Sequence, residues 1–237
     1  DLNYRKALSC LLDYESFLGP VFYGAERSVG PVSSAINGHN DSCTTYNYDI
    51  EQAKEYLAQS RYADTYQDIE LECFLLDSAP ALEKMMLSLQ ANCAQVGITM
   101  NIRKGPWLTY QEQISNPDSA PNVSTCNITP SVNDAASVMR TLFGSATQGT
   151  FENPTWVSTP ELDERLDTAV TILDTDERNA AAMELQDYVM AELCASAPVA
   201  DMANPYAYQS TYIDWPVADY YNETGELKYY ALGMDMY

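Results

Sequence analysis

Basic residues are scarce in this chain. Lysine and arginine together number 12 against 34 aspartates and glutamates, a formal net charge of -22 over 237 residues. Gripping a phosphate backbone takes a basic stripe, and its absence argues against nucleic acid as a partner. The acidity favours solubility and repels anionic surfaces, without identifying a function. Histidine occurs once, as His39 in a polar loop, where a solvated side chain is the expectation. No Ser or Cys nucleophile motif lies near it, and no glycine-rich phosphate loop occurs. The six cysteines are scattered, with no CxxC pair and no Cys/His cluster at metal spacing, which argues against structural zinc. Nor is there a run of the roughly 18 apolar residues that a membrane-spanning helix requires. The first residues, DLNYRKALSC, lack the charged-then-apolar layout of a signal peptide and read as a helix start. The chain is therefore expected to be either cytosolic or a piece of a processed or longer protein.

What is present is a globular composition, 46% hydrophobic, in a length that suits one large domain or two small ones. Most cysteines fall at apolar positions of helices or strands, so free buried thiols are expected, with one bridge as the alternative. Carboxylate pairs such as Glu70/Glu72 and Asp174/Asp176 sit on a strand's outward side and at a helix cap, where solvent or capping accounts for them.

The pattern along the chain begins with a helix capped by Asp1, in which Leu2, Leu8, Leu11 and Leu12 form one stripe while Arg5 and Lys6 face outward. Asp13 to Phe22 reads as a second short helix broken by Gly19-Pro20, and Gly24 to Cys43 as a loop. Asp49 caps a helix with Ala53, Tyr56 and Leu57 inward. A strand from Ile69 to Leu76, a helix from Pro80 to Val96 stopped by Gly97, and a strand from Ile98 to Arg103 make a βαβ unit, so its strands should run parallel. Thr159-Pro160-Glu161, preceded by Ser158, is a helix start in which the glutamate can return the capping bond. Asp174-Thr175-Asp176 starts a longer helix reaching about Cys194. The last forty residues, dense in tyrosine, read as short strands and loops packed on a partner surface.

Between these lies the stretch from Trp107 to Phe143. Trp107 and Tyr110 sit on a short helix, a polar loop leads to a strand from Val123 to Ile128, and a bend from Asn127 to Asp134 opens the helix Ala135 to Phe143. In α/β sheets ligands collect where strands end and helices begin, because loops there offer free backbone N–H groups and side chains to a shared crevice. Each residue also has a plain structural reading. Trp107 and Tyr110 serve equally for packing, Thr129 and Ser131 for the turn, and Asn127 for pinning the loop.

Several segments together resemble the family-5 extracellular solute-binding proteins of ABC importers, the oligopeptide and dipeptide binders and their relatives. The residues that carry the resemblance begin with Asn3-Tyr4-Arg5-Lys6-Ala7-Leu8, Asp13-Tyr14-Glu15, and Tyr48-Asp49 with Ala53-Lys54 and Leu57. They continue through Gln90 to Met100, Trp107 with Tyr110, Asn153 with Pro160-Glu161-Leu162-Asp163, and Asp174 to Arg178 with Leu185-Gln186. None is specific alone; their order along the chain is. The resemblance implies an α/β fold, a periplasmic-binding-protein type II-like lobe with a mixed β-sheet flanked by helices. It implies that residues 1–200 are a carboxy-terminal ligand-binding lobe and that 201–237 return across a hinge toward an amino-terminal lobe, absent here together with its lipoprotein or secretion signal.

The function implied is that of the substrate-binding component of an ABC importer, working outside the cytoplasm as a monomer without cofactor or enzymatic activity. It would capture a small ligand between lobes and deliver it to a membrane permease. A peptide is the first expectation; an oligosaccharide, a metal chelate, or a non-transport surface role are the alternatives. The ligand-binding residues implied are Trp107, Tyr110, Asn127, Thr129, Ser131, Asn133 and Asp134. Some peptide-binding members place on this bend an aspartate that receives the peptide's amino terminus. Alignment without gaps puts Ser131 there and leaves Asp134 on a later acidic position, where capping the next helix is its expected job.

Overall fold

Asp1 accepts a hydrogen bond from the Tyr4 backbone N–H at 2.9 Å and so starts α1, Leu2–Cys10. The computed structural model describes residues 1–125 and 127–202, together with 209, 211, 213–214 and 233–234. Of the expected stripe, Leu11 and Leu12 are buried just beyond the helix while Leu2 and Leu8 are half-buried, and the buried face of α1 itself includes Tyr4 and Ala7. Arg5 does not face outward as the sequence suggests. Its guanidinium donates to the Leu193 carbonyl oxygen at 2.9 and 2.7 Å, satisfying a helix-end acceptor that lacks an intrahelical partner. The expected helix from Asp13 to Phe22 is instead a series of turns. Asp13 closes the first by accepting from the Ser16 N–H, and Gly19, at φ 82°, reverses the chain before a helix can lengthen. Phe17 and Phe22 anchor the turns in the core.

A short strand β1, Glu26–Arg27, precedes α2, Ile50–Ala58, where Asp49 caps as expected and Ala53 and Leu57 are buried. Then comes the βαβ unit. Strand β2, Glu70–Leu76, and β3, Thr99–Gly105, flank α3, Pro80–Gln95, and the strands pair in parallel from Glu70↔Thr99 to Leu76↔Gly105. Leu82, Met85, Met86, Leu89 and Cys93 bury the sheet-facing side of α3. After α4, Trp107–Ile114, the chain crosses to the other edge of β2, where β4, Val123–Ser124, also pairs in parallel. The strand expected to reach Ile128 thus ends at Ser124. The last β2–β4 pair is Phe74↔Ser124, so β4 leaves the sheet two residues before β2 ends at Leu76.

Three helices complete the described fold: α5, Ala135–Phe143; α6, Pro160–Ala169; and α7, Thr175–Tyr188. Thr159 caps α6, but Glu161 stands one position short of returning the bond and lies near Arg165 instead. Helix α7 does not run evenly to Cys194. It widens into a π-turn over Val189–Leu193 and ends at Cys194 in the left-handed region, φ 46°. Strand β5, Ala200–Asp201, closes antiparallel on β1, and β6, Ile213–Asp214, pairs antiparallel with β7, Gly233–Met234. The α/β class holds: the sheet ordered β3-β2-β4 is parallel, and the antiparallel ladders are separate.

Two large apolar cores and a small third one, Phe74 with Tyr110 and Ile114, result among the described residues. One large core joins α1, α2 and α3 to the sheet; the other joins α5, α6 and α7 with Val32 and Ile36. They meet at the π-turn, where Met190 and Cys194 belong to the first core and Val189 and Leu193 to the second. Gln186, fully buried, ties the 24–43 loop to α7, donating to the Gly38 oxygen at 2.7 Å and accepting from the Asn40 N–H at 3.1 Å. His39, expected in solvent, has its side chain largely enclosed with Nδ1 2.8 Å from the Val32 oxygen, because this loop folds onto α7.

Cys10, Cys43, Cys73, Cys93 and Cys194 are free and buried, and burial pushes the Cys73 and Cys93 thiols up to about 12. Cys126 and the aromatic residues of the tail, from Tyr206 to Tyr230, lie outside the described residues. No described helix is long and apolar enough to cross a membrane.

Gly97 provides a direct check on the βαβ unit. It follows α3 with φ 86°, and a Cβ there would meet the Gln67 side chain at 3.1 Å. Gly97→Ala is expected to destabilise the fold by about 1–2 kcal/mol, read as a lower urea midpoint at unchanged slope.

Candidate functional site

Since β2, β3 and β4 run parallel, their C-terminal ends share one edge, and the segments leaving Leu76, Gly105 and Ser124 emerge there together. Pro106 follows β3 in an extended conformation, and α4 begins at once with Trp107. One turn on, Tyr110 is 1% exposed. Its ring lies 6.1 Å from that of Phe74, and its hydroxyl donates to the Thr125 oxygen at 3.3 Å. Tyr110 thus packs α4 on the sheet and holds the chain leaving β4.

Trp107 behaves differently. It stacks on Tyr110 with centroids 5.9 Å apart, meets Phe151 edge-on at 5.6 Å, and is 42% exposed. Phe151, 39% exposed, comes from the loop after α5. That loop is held from beneath by the buried Asn153, which donates to the Gly144 oxygen at 2.9 Å and the Thr147 hydroxyl at 3.2 Å. The Trp156 indole N–H donates to the Ile114 oxygen at 3.2 Å, fixing the loop against α4. Two half-exposed rings from separate segments therefore form a corner on a rigid base.

Along the bend, Asn127, Thr129 and Ser131 are exposed. Asn133 is engaged: its side-chain oxygen accepts from the Asn37 N–H at 2.7 Å, while the Ala135 N–H donates to the Asn37 oxygen at 3.0 Å. Asp134 is engaged more fully. One carboxylate oxygen accepts from Arg178 Nε at 2.7 Å, and the other from Arg178 Nη2 and, at 2.9 Å, from the Ser137 N–H at the start of α5. These bonds, that from Arg178 foremost, hold the Asp134 carboxyl down at about 2. Among the seven residues implied from sequence, the structure leaves Trp107, Asn127, Thr129 and Ser131 open to solvent, and commits Tyr110, Asn133 and Asp134 to the fold.

Sequence reasoning missed Phe151 and Arg178. Phe151 had a signal: it is the lone aromatic within the Gly-, Ser- and Thr-rich run before Asn153. Arg178 is among the residues that carry the resemblance, but its role is not legible there, because its partner is 44 positions away. Among the described residues no group of three or more His, Cys, Asp or Glu is placed to hold a metal ion. A surface groove of about 450 Å³ lies elsewhere, between Asn40, Ser42 and residues of α6 and α7, and contains none of these site residues.

Residues 1–150 match the family of bacterial extracellular solute-binding proteins, family 5 Middle, and the chain belongs to that family. It is similar to heme-binding protein A of Haemophilus influenzae, with 24% identity over 180 residues that make up 75% of this chain and 32% of that protein. The fold is similar to that of HbpA2 from Haemophilus parasuis, with a TM-score of 0.80 and 19% identity over 99% of this chain and 45% of the other. It is also similar to DppA from Helicobacter pylori, solved in complex with the peptide STSA, with a TM-score of 0.71 and 21% identity over 83% and 37% of the two chains. The chain thus spans about a third of the length of its curated relative. The family and these neighbours are binding proteins rather than enzymes.

The Asp134–Arg178 pair gives a signed pH effect. A carboxyl lowered from 3.8 to about 2 adds stability that is fully present above pH 4 and is lost as pH falls through 2. Asp134→Asn, which keeps a capping oxygen, is expected to destabilise by about 1.5–3 kcal/mol at pH 7 and to flatten the stability profile between pH 4 and 2. Urea melts across that range measure both.

Proposed function

We propose that residues 1–200 are the carboxy-terminal ligand-binding lobe of the substrate-binding component of an ABC importer, and that residues 201–237 lead back across a hinge toward a second lobe. The Trp107–Phe151 corner carries the reading. It sets two half-exposed aromatic rings beyond the C-terminal edge of a parallel sheet, where α/β proteins bind ligands, with the exposed Asn127, Thr129 and Ser131 on the adjoining bend. The protein works outside the cytoplasm and captures a small ligand between lobes. Hinge closure then completes the contacts, and the closed form is presented to the permease without chemistry on the ligand.

A peptide is the ligand this reading favours, in keeping with the similarity to a binding protein solved with STSA. Extended peptides present backbone donors and acceptors that neutral amide and hydroxyl groups can pair. A planar metal chelate is the second reading, favoured by the similarity to heme-binding protein A and by the flat faces that an aromatic corner offers.

Thermal shift on the full-length protein separates them: a peptide library at millimolar concentration should raise the melting temperature, and heme should not. If peptides, oligosaccharides and chelates all failed to raise it, the importer reading would fall. Within the site, Trp107→Ala and Phe151→Ala are each expected to weaken ligand binding about tenfold, some 1.4 kcal/mol, with the fold intact. Tyr110→Ala is expected instead to lower stability by about 3–5 kcal/mol. Calorimetric titration beside denaturation distinguishes the two outcomes.

A further inference from the structure

The segments that form the Trp107–Phe151 corner carry one sign of charge, and the two cations at the end of β3 are paired, Arg103 with Glu72 and Lys104 with Glu83. The rings and the adjoining bend come from residues 106–134 and 144–156, which together contain no lysine or arginine. The same segments hold Glu112, Asp118, Asp134 and Glu152. Asp134 is neutralised by Arg178, while Glu112, Asp118 and Glu152 enter no ion pair among the described residues. The guanidinium on the neighbouring strand, Arg103, lies 5.8 Å from the Phe74 ring centroid and is bonded to Glu72 and Gln113. Around this sits a chain with a net charge of -22. An aromatic face is electron-rich at its centre, and a negative field raises the local concentration of cations.

Building on the importer reading, we propose that the Trp107–Phe151 corner is a subsite for a cationic side chain of a peptide ligand, an arginine or lysine held over the ring faces rather than by a salt bridge. The one carboxylate whose position on the bend would suit a salt bridge is bound by Arg178. The remaining acids supply field, and the rings supply the contact. This selects basic peptides over neutral ones of the same shape and disfavours acidic ones.

The test uses full-length protein and a pentapeptide series of alanines whose central residue is arginine, citrulline, leucine or glutamate. Citrulline keeps the planar shape of arginine and removes the charge. Titration calorimetry at 50 mM and 300 mM salt should show arginine bound about 2- to 30-fold more tightly than citrulline, with the margin shrinking as salt rises. Trp107→Leu and Phe151→Leu remove the ring face, so each should narrow the margin of arginine over citrulline, whatever it does to the affinity of both. Citrulline or leucine binding as well as arginine would overturn the proposal and leave an apolar subsite, with the importer reading standing. So would an arginine preference that survives in the double Leu variant. No binding of any peptide would overturn both the proposal and the peptide reading.

Discussion

The bidentate pair between Asp134 and Arg178 decides how the second half of the molecule is assembled. Asp134 is the cap of α5, and Arg178 lies in the first turns of α7, so one interaction sets the angle between two helices of the second core. The same guanidinium donates to the Val170 oxygen at 2.6 Å, where α6 ends, and to the Ser137 hydroxyl at 3.2 Å. The guanidinium, itself on α7, thus ties the capped start of α5 to the open carbonyl end of α6, a task for which a lysine has the wrong geometry. The bend between Ser124 and Ala135 hangs from this point at one end and from β4 at the other. Its open residues are open because its closed ones are held.

The Tyr110 hydroxyl plays the corresponding part at the other end of the bend, and the contrast with Trp107 shows how adjacent turns of one helix divide their work. Both residues are aromatic and three positions apart, hence on the same side of α4. Tyr110 is enclosed by Phe74 and Ile114. Trp107, at the helix start and nearer the sheet edge, lies where that cover runs out.

Much of the architecture was legible in the sequence because it rests on local physics. Asp1, Asp49, Asp134, Thr159 and Asp174 all cap where their spacing suggests, and the βαβ unit from Glu70 to Gly105 follows from two apolar runs and a terminating glycine. What was not legible depends on distant partners. Nothing near Arg5 reveals that it reaches Leu193, and nothing near Gln186 reveals the Gly38 carbonyl. At the site, the resemblance supplied Trp107 and the bend, while Phe151 joins the corner through a loop whose course Asn153 fixes.

The five buried thiols have a consequence for the history of each molecule rather than for its working state. Disulfide exchange proceeds through the thiolate, and groups pushed up to about 11 for Cys10 and about 12 for Cys43, Cys73 and Cys93, out of reach of solvent, present almost none. In an oxidising compartment the folded chain protects them, and only an unfolded one exposes them together. A disulfide among these five would then mark a molecule that had opened and closed again, an imprint of lost structure that outlasts the event.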